Sequence, residues 1–318
     1  MATDIDRSDH PVAGVIIPLV TALDPRGRPD PPAVRPLLAH LAGAGVTTLM
    51  LAGTNGEGPL LTAGAVRTYA AEVSVMWREL AGASARIMVA ATGTGTRETL
   101  ERMERLDGLD LDAVVVLAPT YFRHTEGELH AHFRDAASHG RPVVVYNSPG
   151  YTGNPIPVSV MRRLLDEPAI VGLKDSSGDA ALFAGFCALT GERPGFQVAQ
   201  GVERQLADGL RAGAAGLVPG VGMLAPALCV DLLKAGRHGD HATATALQHD
   251  VDRLAALFGV RPGASGVVVI KTALHLLGLC PPHAAAPFLP LTETELAGLR
   301  AALARIHDLV RPHDPQPI

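Results

Sequence analysis

The chain has 318 residues, 47% of them hydrophobic, and a formal net charge of −5. That length holds one large core or two ordinary ones, and the composition excludes a disordered chain. The mild charge, with no lysine- or arginine-rich block to follow a phosphate backbone, argues against a nucleic-acid partner.

The chain opens with Asp4, Asp6 and Asp9 against Arg7, unlike the basic start of a secretory signal. The apolar run Val12 to Val20 is interrupted by Gly14 and Pro18, and no stretch is long and apolar enough to span a bilayer. A soluble, cytoplasmic protein without a membrane partner is expected. Three cysteines, Cys187, Cys229 and Cys280, lie far apart with no CxxC pair. They read as reduced core thiols, not as a disulfide framework or a metal cage.

Short runs rich in Val, Ile and Leu recur at Val12–Leu19, Thr47–Ala52, Ile87–Ala91, Ala113–Ala118, Val143–Tyr146, Ile170–Lys174, Phe196–Gln200 and Gly216–Val218. Strands this continuously apolar are covered on both faces, as in a parallel sheet. Between them lie amphipathic segments at Ala33–Ala44, Ala65–Leu80, Arg97–Leu106, Gly127–Ser138 and Gln205–Ala212. Thr62, Thr96 and Pro157 are placed to open helices. Eight strand–helix units in about 230 residues predict an α/β fold, a (β/α)8 TIM barrel over residues 12–239. A doubly wound sheet would need a glycine-rich turn after the first strand. Gly93-Thr94-Gly95 follows the third strand instead and lacks a third glycine. After Gly239 the segments Ala242–Phe258, Gly266–Leu277 and Glu293–Leu309 predict a C-terminal three-helix extension over 240–310. Residues 1–11 and 311–318 read as tails.

In such a barrel the chemistry sits where strands end. The second strand ends in Gly53-Thr54-Asn55-Gly56-Glu57, the fourth in Pro119-Thr120-Tyr121-Phe122, the fifth in Tyr146-Asn147-Ser148-Pro149 and the sixth in Gly172-Leu173-Lys174-Asp175-Ser176. The chain has only three lysines. Lys234 and Lys271 fall in helical patterns and read as surface residues. Lys174 ends an apolar strand, where a lysine can act as a nucleophilic amine and an arginine cannot. The alternative is a buried ion pair with Asp175 or Glu57. Tyr146 offers a phenol for proton transfer on the neighbouring strand. Thr54, Asn55 and Gly56 offer a hydroxyl and backbone N–H groups suited to an anion. Each taken singly reads as packing or a tight turn; together at one rim they point to imine chemistry.

These segments, in this order and spacing, resemble the dihydrodipicolinate synthase / N-acetylneuraminate lyase family. The likeness runs from about Val12 to Leu309 and includes Pro18-Leu19-Val20-Thr21 and Gly213-Ala214-Ala215-Gly216. The resemblance implies a homotetramer, Lys174 as the imine-forming lysine and Tyr146 as the proton-transferring phenol. It also implies Thr54 and Asn55 as the carboxylate turn, Thr54 as a proton relay, and Tyr121 as a relay tyrosine reaching a neighbouring subunit's site. No cofactor and no metal are implied.

Two departures narrow the substrate. Where family synthases that use aspartate semialdehyde carry an arginine, this chain has Tyr151, which cannot grip a carboxylate bidentately. After the seventh and eighth strands stand Gly201-Val202-Glu203 and Val218-Pro219-Gly220-Val221-Gly222-Met223. Glu203 is kept as an acidic candidate there, and Met223 replaces a common asparagine, which counts against a sialic acid. The expected substrate-binding set is thus Thr54, Asn55, Gly56, Tyr121, Tyr151, Gly201, Glu203 and Val218.

The expected activity is a class I aldolase joining or splitting pyruvate and an aldehyde. Its substrate would be a 2-keto-3-deoxy sugar acid or a 4-hydroxy-2-oxo acid. The alternatives are dihydrodipicolinate synthesis, a deoxy-sugar-acid dehydratase, or a non-catalytic 2-oxo-acid-binding protein. His130, His132, His238 and His241 lack metal-ligand spacing and read as solvated. Glu57 reads as a tie between its loop and the barrel, and Trp77 as packing.

Overall fold

The computed structural model describes residues 10–310; the expected tails, apart from residues 10 and 11, lie outside them. Eight strands, β1 (Gly14–Pro18), β2 (Thr48–Leu51), β3 (Arg86–Ala90), β4 (Ala113–Leu117), β5 (Val143–Asn147), β6 (Ile170–Asp175), β7 (Gln197–Gln200) and β8 (Gly216–Leu217), form a closed barrel in chain order. Every pairing is parallel, including the β1–β8 pairing that closes it. All eight expected strands are present, most of them trimmed at one or both ends. A closed sheet leaves no edge to protect, so every strand is covered on both faces.

The helical layer comprises α1 (Arg35–Gly43), α2 (Ala63–Ala81), α3 (Thr96–Glu104), α4 (Glu126–Ala137), the short α5 (Pro149–Thr152), α6 (Val158–Leu164), α7 (Ala180–Ala188), α8 (Leu206–Arg211) and α9 (Pro226–Arg237). Thr62 caps α2 by accepting from the Ala65 N–H, as expected. Thr96 does not cap α3: Gly95 is the cap residue, and the Thr96 hydroxyl bonds His132 Nδ1 at 3.0 Å. The helices α7 and α9 were not among the amphipathic segments read from the sequence. The α7 residues (AALFAGFCA) are apolar almost all round, so no polar stripe marks the period.

Alternation along the strands divides the core in two. Ile16, Met50, Met88, Val115, Val144 and Tyr146 fill the barrel. Their neighbours Ile17, Leu49, Val89, Val116 and Val145 pack under the helices. Gly172 has no side chain because a Cβ there would lie 2.6 Å from Val12 Cγ2, which plugs the barrel floor.

Beyond β8 lie α10 (His241–Ala255), α11 (Val267–Leu276) and α12 (Glu293–Arg305). Every α11 residue from Val267 to Leu274 is buried, Lys271 included. This corrects the surface position expected for Lys271. A helix apolar on all sides offers no solvent face to a charge, and Lys271 instead pairs with Glu57. Lys234 is exposed beside Asp231, as expected.

Trp77, the chain's single tryptophan, is fully buried on α2 and donates through Nε1 to the Thr47 carbonyl at 3.0 Å. Trp77→Ala should therefore lower unfolding stability by about 3–5 kcal/mol, read from urea denaturation. A loss under about 1 kcal/mol would show that α2 does not depend on this side chain.

Candidate active site

Two adjacent parallel strands bring the central pair together. In the β5–β6 register Tyr146 lies opposite Lys174, so both side chains point into the barrel at the same height. Lys174 Nζ stands 4.0 Å from the centre of the Tyr146 ring. Both residues are buried. The side chains of Ser148, Ser176 and Thr54 lie around the Tyr146 hydroxyl. Burial pushes this phenol up, but the Lys174 charge and the three hydroxyls outweigh it and hold Tyr146 below its ordinary value.

Room for the lysine depends on Gly201. A Cβ there would lie 2.9 Å from Lys174 Cε and 2.3 Å from Ser176 Oγ, so the chain leaving β7 must pass without a side chain. The two carboxylates that could have tied Lys174 down are engaged elsewhere. Asp175 accepts from Asn147 Nδ2 at 2.6 Å and from Ser177 Oγ at 2.8 Å, and the Glu57 carboxylate is taken by Lys271. Burial lifts the Asp175 carboxyl despite those donors. Asn147 also accepts from the Ile156 N–H at 3.0 Å, which ties the ends of β5 and β6 to the start of α6.

Lys174 and Tyr146 open onto a cleft of about 280 Å³ at the C-terminal ends of the strands. Of the residues expected there, Thr54, Asn55, Tyr151, Gly201, Glu203 and Val218 line it. Two do not. Gly56 lies buried behind the wall, its carbonyl accepting from Thr21 Oγ1 at 2.6 Å. Tyr121 is 88% exposed, in a left-handed conformation with φ 76°, and packs edge-on to the exposed Phe122. Asn154 holds that loop out: its Nδ2 donates to the Pro119 and Phe122 carbonyls at 2.9 and 2.8 Å. Tyr151 lies on the rim, on α5, and is 60% exposed.

Ser148, Ser176 and Gly220 also line the cleft and were not in the expected set. The two serines follow Tyr146 and Lys174 at a spacing of two, the period that keeps side chains on one face of a strand. That spacing was the available signal. Gly220 donates its N–H to Glu203 Oε1 at 2.9 Å. A Cβ at Gly220 would crowd that oxygen and Asn55 Nδ2, each at 2.8 Å. Burial raises the Glu203 carboxyl, although the Gly220 N–H and the Lys174 charge pull the other way.

Other expectations resolve as follows. Glu57 ties its loop to the C-terminal extension, not to the barrel. Met223 is fully buried and lines no part of the cleft. His132 is not solvated: it is buried between the Thr96 hydroxyl and the Leu117 carbonyl, each 3.0 Å away. Its helical position faces the barrel, so the polar ring is met by partners instead of water. His238 and His241 are exposed. The three cysteines are free and buried.

Comparison with known proteins places this geometry. The chain matches the dihydrodipicolinate synthetase family over residues 11–306. It is 32% identical to 4-hydroxy-tetrahydrodipicolinate synthase 1 of Streptomyces coelicolor, over 96% of this chain and 97% of that one. The enzyme of the same name from Acidiphilium cryptum is 30% identical, with 91% and 97% covered. The crystal structure of YagE, a prophage protein from E. coli K12 solved in complex with pyruvate, superposes with a TM-score of 0.85 at 29% identity. It covers 93% of this chain and 98% of that one. The chain belongs to the dihydrodipicolinate synthetase family, and with it to the carbon–carbon lyases of the Schiff-base class.

Proposed function

We propose that this lyase joins pyruvate to an uncharged, hydroxyl-bearing aldehyde, or splits the corresponding 2-oxo acid, through an imine on Lys174. The observation that carries the reading is the pairing of Lys174 with Tyr146 at the base of the cleft, Nζ 4.0 Å from the ring centre. Lys174 attacks the 2-oxo carbon, water leaves, and the protonated imine becomes an electron sink. Tyr146 takes the proton from the C4 hydroxyl, the C3–C4 bond breaks, and its electron pair flows into the imine to give an enamine. The aldehyde departs, C3 takes a proton back from Tyr146, and water releases pyruvate. Thr54 and Asn55 hold the substrate carboxylate, and Ser148 and Ser176 keep the phenol aligned.

The charge of the lining supports the choice of aldehyde. Lys174 is the only cation among the residues lining the cleft, and imine formation engages it. A second carboxylate, as in aspartate semialdehyde or glyoxylate, would meet Tyr151 in place of a guanidinium and would face Glu203. Raised by burial, the Glu203 carboxyl suits hydrogen bonds to aldehyde hydroxyls instead. YagE, provisionally named a 2-dehydro-3-deoxy-D-gluconate aldolase and 30% identical to this chain, is in keeping with a polyhydroxy substrate. Within 4-hydroxy-2-oxo acids, this reading disfavours 4-hydroxy-2-oxoglutarate. We further assign the exposed Tyr121–Phe122 pair to a contact between subunits of a homotetramer. The three free thiols accord with a cytoplasmic setting.

Borohydride reduction in the presence of pyruvate should add one adduct to Lys174, located by intact mass and peptide mapping, and Lys174→Arg should abolish it. An adduct on Lys234 or Lys271 would refute the site. Given pyruvate, the enzyme should turn over glyceraldehyde-type aldehydes at least roughly a hundredfold better, in kcat/KM, than aspartate semialdehyde, the discrimination expected when a carboxylate loses its partner. Preference for the semialdehyde would restore the synthase reading. Finally, ultraviolet titration of wild type against Tyr146→Phe should expose a phenol ionising below the ordinary value of about 10, and Lys174→Met should raise it. A Tyr146 phenol unmoved by loss of Lys174 would deny it the acid–base role.

A further inference from the structure

The turn that offers Thr54 and Asn55 to the cleft is bracketed by two non-glycine residues in the left-handed region, Ala52 with φ 53° and Glu57 with φ 57°. Side-chain-bearing residues adopt that conformation at a cost, and it persists where surroundings over-determine it. Within the turn the Glu57 N–H donates to the Thr54 carbonyl at 3.1 Å and the Gly58 N–H to the Gly53 carbonyl at 3.2 Å. A Cβ at Gly58 would lie 1.8 Å from the Ala52 carbonyl oxygen, so the loop is folded tightly on itself.

What fixes it from outside comes from the far end of the chain. Lys271 Nζ on α11 donates to Glu57 Oε1, and the Ala285 N–H donates to Glu57 Oε2 at 2.6 Å. Both charged side chains are wholly sealed from solvent. A buried ion pair is weak support for stability as such, because an apolar pair of similar volume often does as well. Its worth lies in geometry: with the Ala285 N–H it specifies where the two carboxylate oxygens of Glu57 must be, and the Glu57 N–H is hydrogen-bonded to the Thr54 carbonyl. The same extension holds the opposite wall. Gln248 on α10 donates through Nε2 to the Glu203 carbonyl at 2.7 Å and accepts from the Ala207 N–H at 2.9 Å.

We propose that Lys271 is a positioning residue for the 2-oxo acid. Through Glu57 it locks the Thr54–Asn55 turn in its binding conformation, so that the C-terminal extension sets the affinity of the cleft for the substrate carboxylate. The inference rests on the reading of Thr54 and Asn55 as the carboxylate site.

The test compares wild type, Lys271→Met and the apolar pair Glu57→Leu/Lys271→Met, all as full-length protein. The double variant removes both buried charges together and keeps the fold measurable if the single variant does not fold. Two quantities are read: the pyruvate concentration that half-saturates borohydride trapping, and hydrogen exchange of the peptide spanning 52–61. The double variant, which also leaves the Ala285 N–H without its acceptor, should melt below wild type but still fold, and should need roughly tenfold more pyruvate with the same trapped fraction at saturation. Exchange should rise in 52–61 and not in the β5–β6 peptides. Wild-type half-saturation with wild-type exchange in the double variant would overturn the proposal and reduce the pair to packing. Should wild type itself trap no pyruvate, the functional reading fails on that result. Exchange of 52–61 in Lys271→Met against wild type then still decides whether Lys271 orders the turn.

Discussion

Parallel pairing between β5 and β6 is the constraint on which the site depends. In parallel strands, residues opposite one another in register point to the same face, so a lysine and a tyrosine at matched positions must share a space. Closing the sheet then turns that face inward and removes most of the water around the pair. A cation beside a phenol under those conditions favours the ionised phenol, and the surrounding hydroxyls add to the effect. The juxtaposition of Lys174 and Tyr146 thus follows from strand register and closure, before any loop is considered.

Around the pair, absence of side chains matters as much as presence. Gly201 leaves the volume into which Lys174 extends, and Gly220 leaves room for Asn55 and Glu203 to converge. The lining of the cleft is rich in hydroxyl and amide groups, and Lys174 is its one cation among the described residues. On the proposed reading, such a lining would discriminate by hydrogen bonding and by charge exclusion, the two effects that separate a polyhydroxy aldehyde from an anionic one.

The helices after the barrel act as a brace for the mouth of the cleft. Two of them send one polar side chain each, Gln248 and Lys271, into the loops after β7 and β2. The Lys271 contact is buried and the Gln248 contact partly so, and both end on residues within three positions of a cleft wall. The rim of the cleft is therefore tied to segments that do not line it.

Much of this was open to reading in the chain itself. Parallel strands buried on both faces declare themselves as unbroken apolar runs, and all eight were visible. The lysine at the end of Ile170–Lys174, its scarcity elsewhere and the glycine-flanked Thr54-Asn55 turn marked the rim, because barrel chemistry gathers at strand ends. What the chain alone determined was therefore local: the periods of its elements and the residue types at their ends. Tertiary structure decided the rest. The α11 stretch VVVIKTALHL has a helical period but no polar face, and only the packed fold shows Lys271 meeting Glu57 across 214 positions. His132 likewise reads as a surface residue until Leu117 and Thr96 are seen against it. Tyr121, placed by its loop, stands exposed and does not line its own cleft. Burial and pairing between distant segments are properties of how elements pack, and hydrophobic period carries no record of which polar group a buried charge will find.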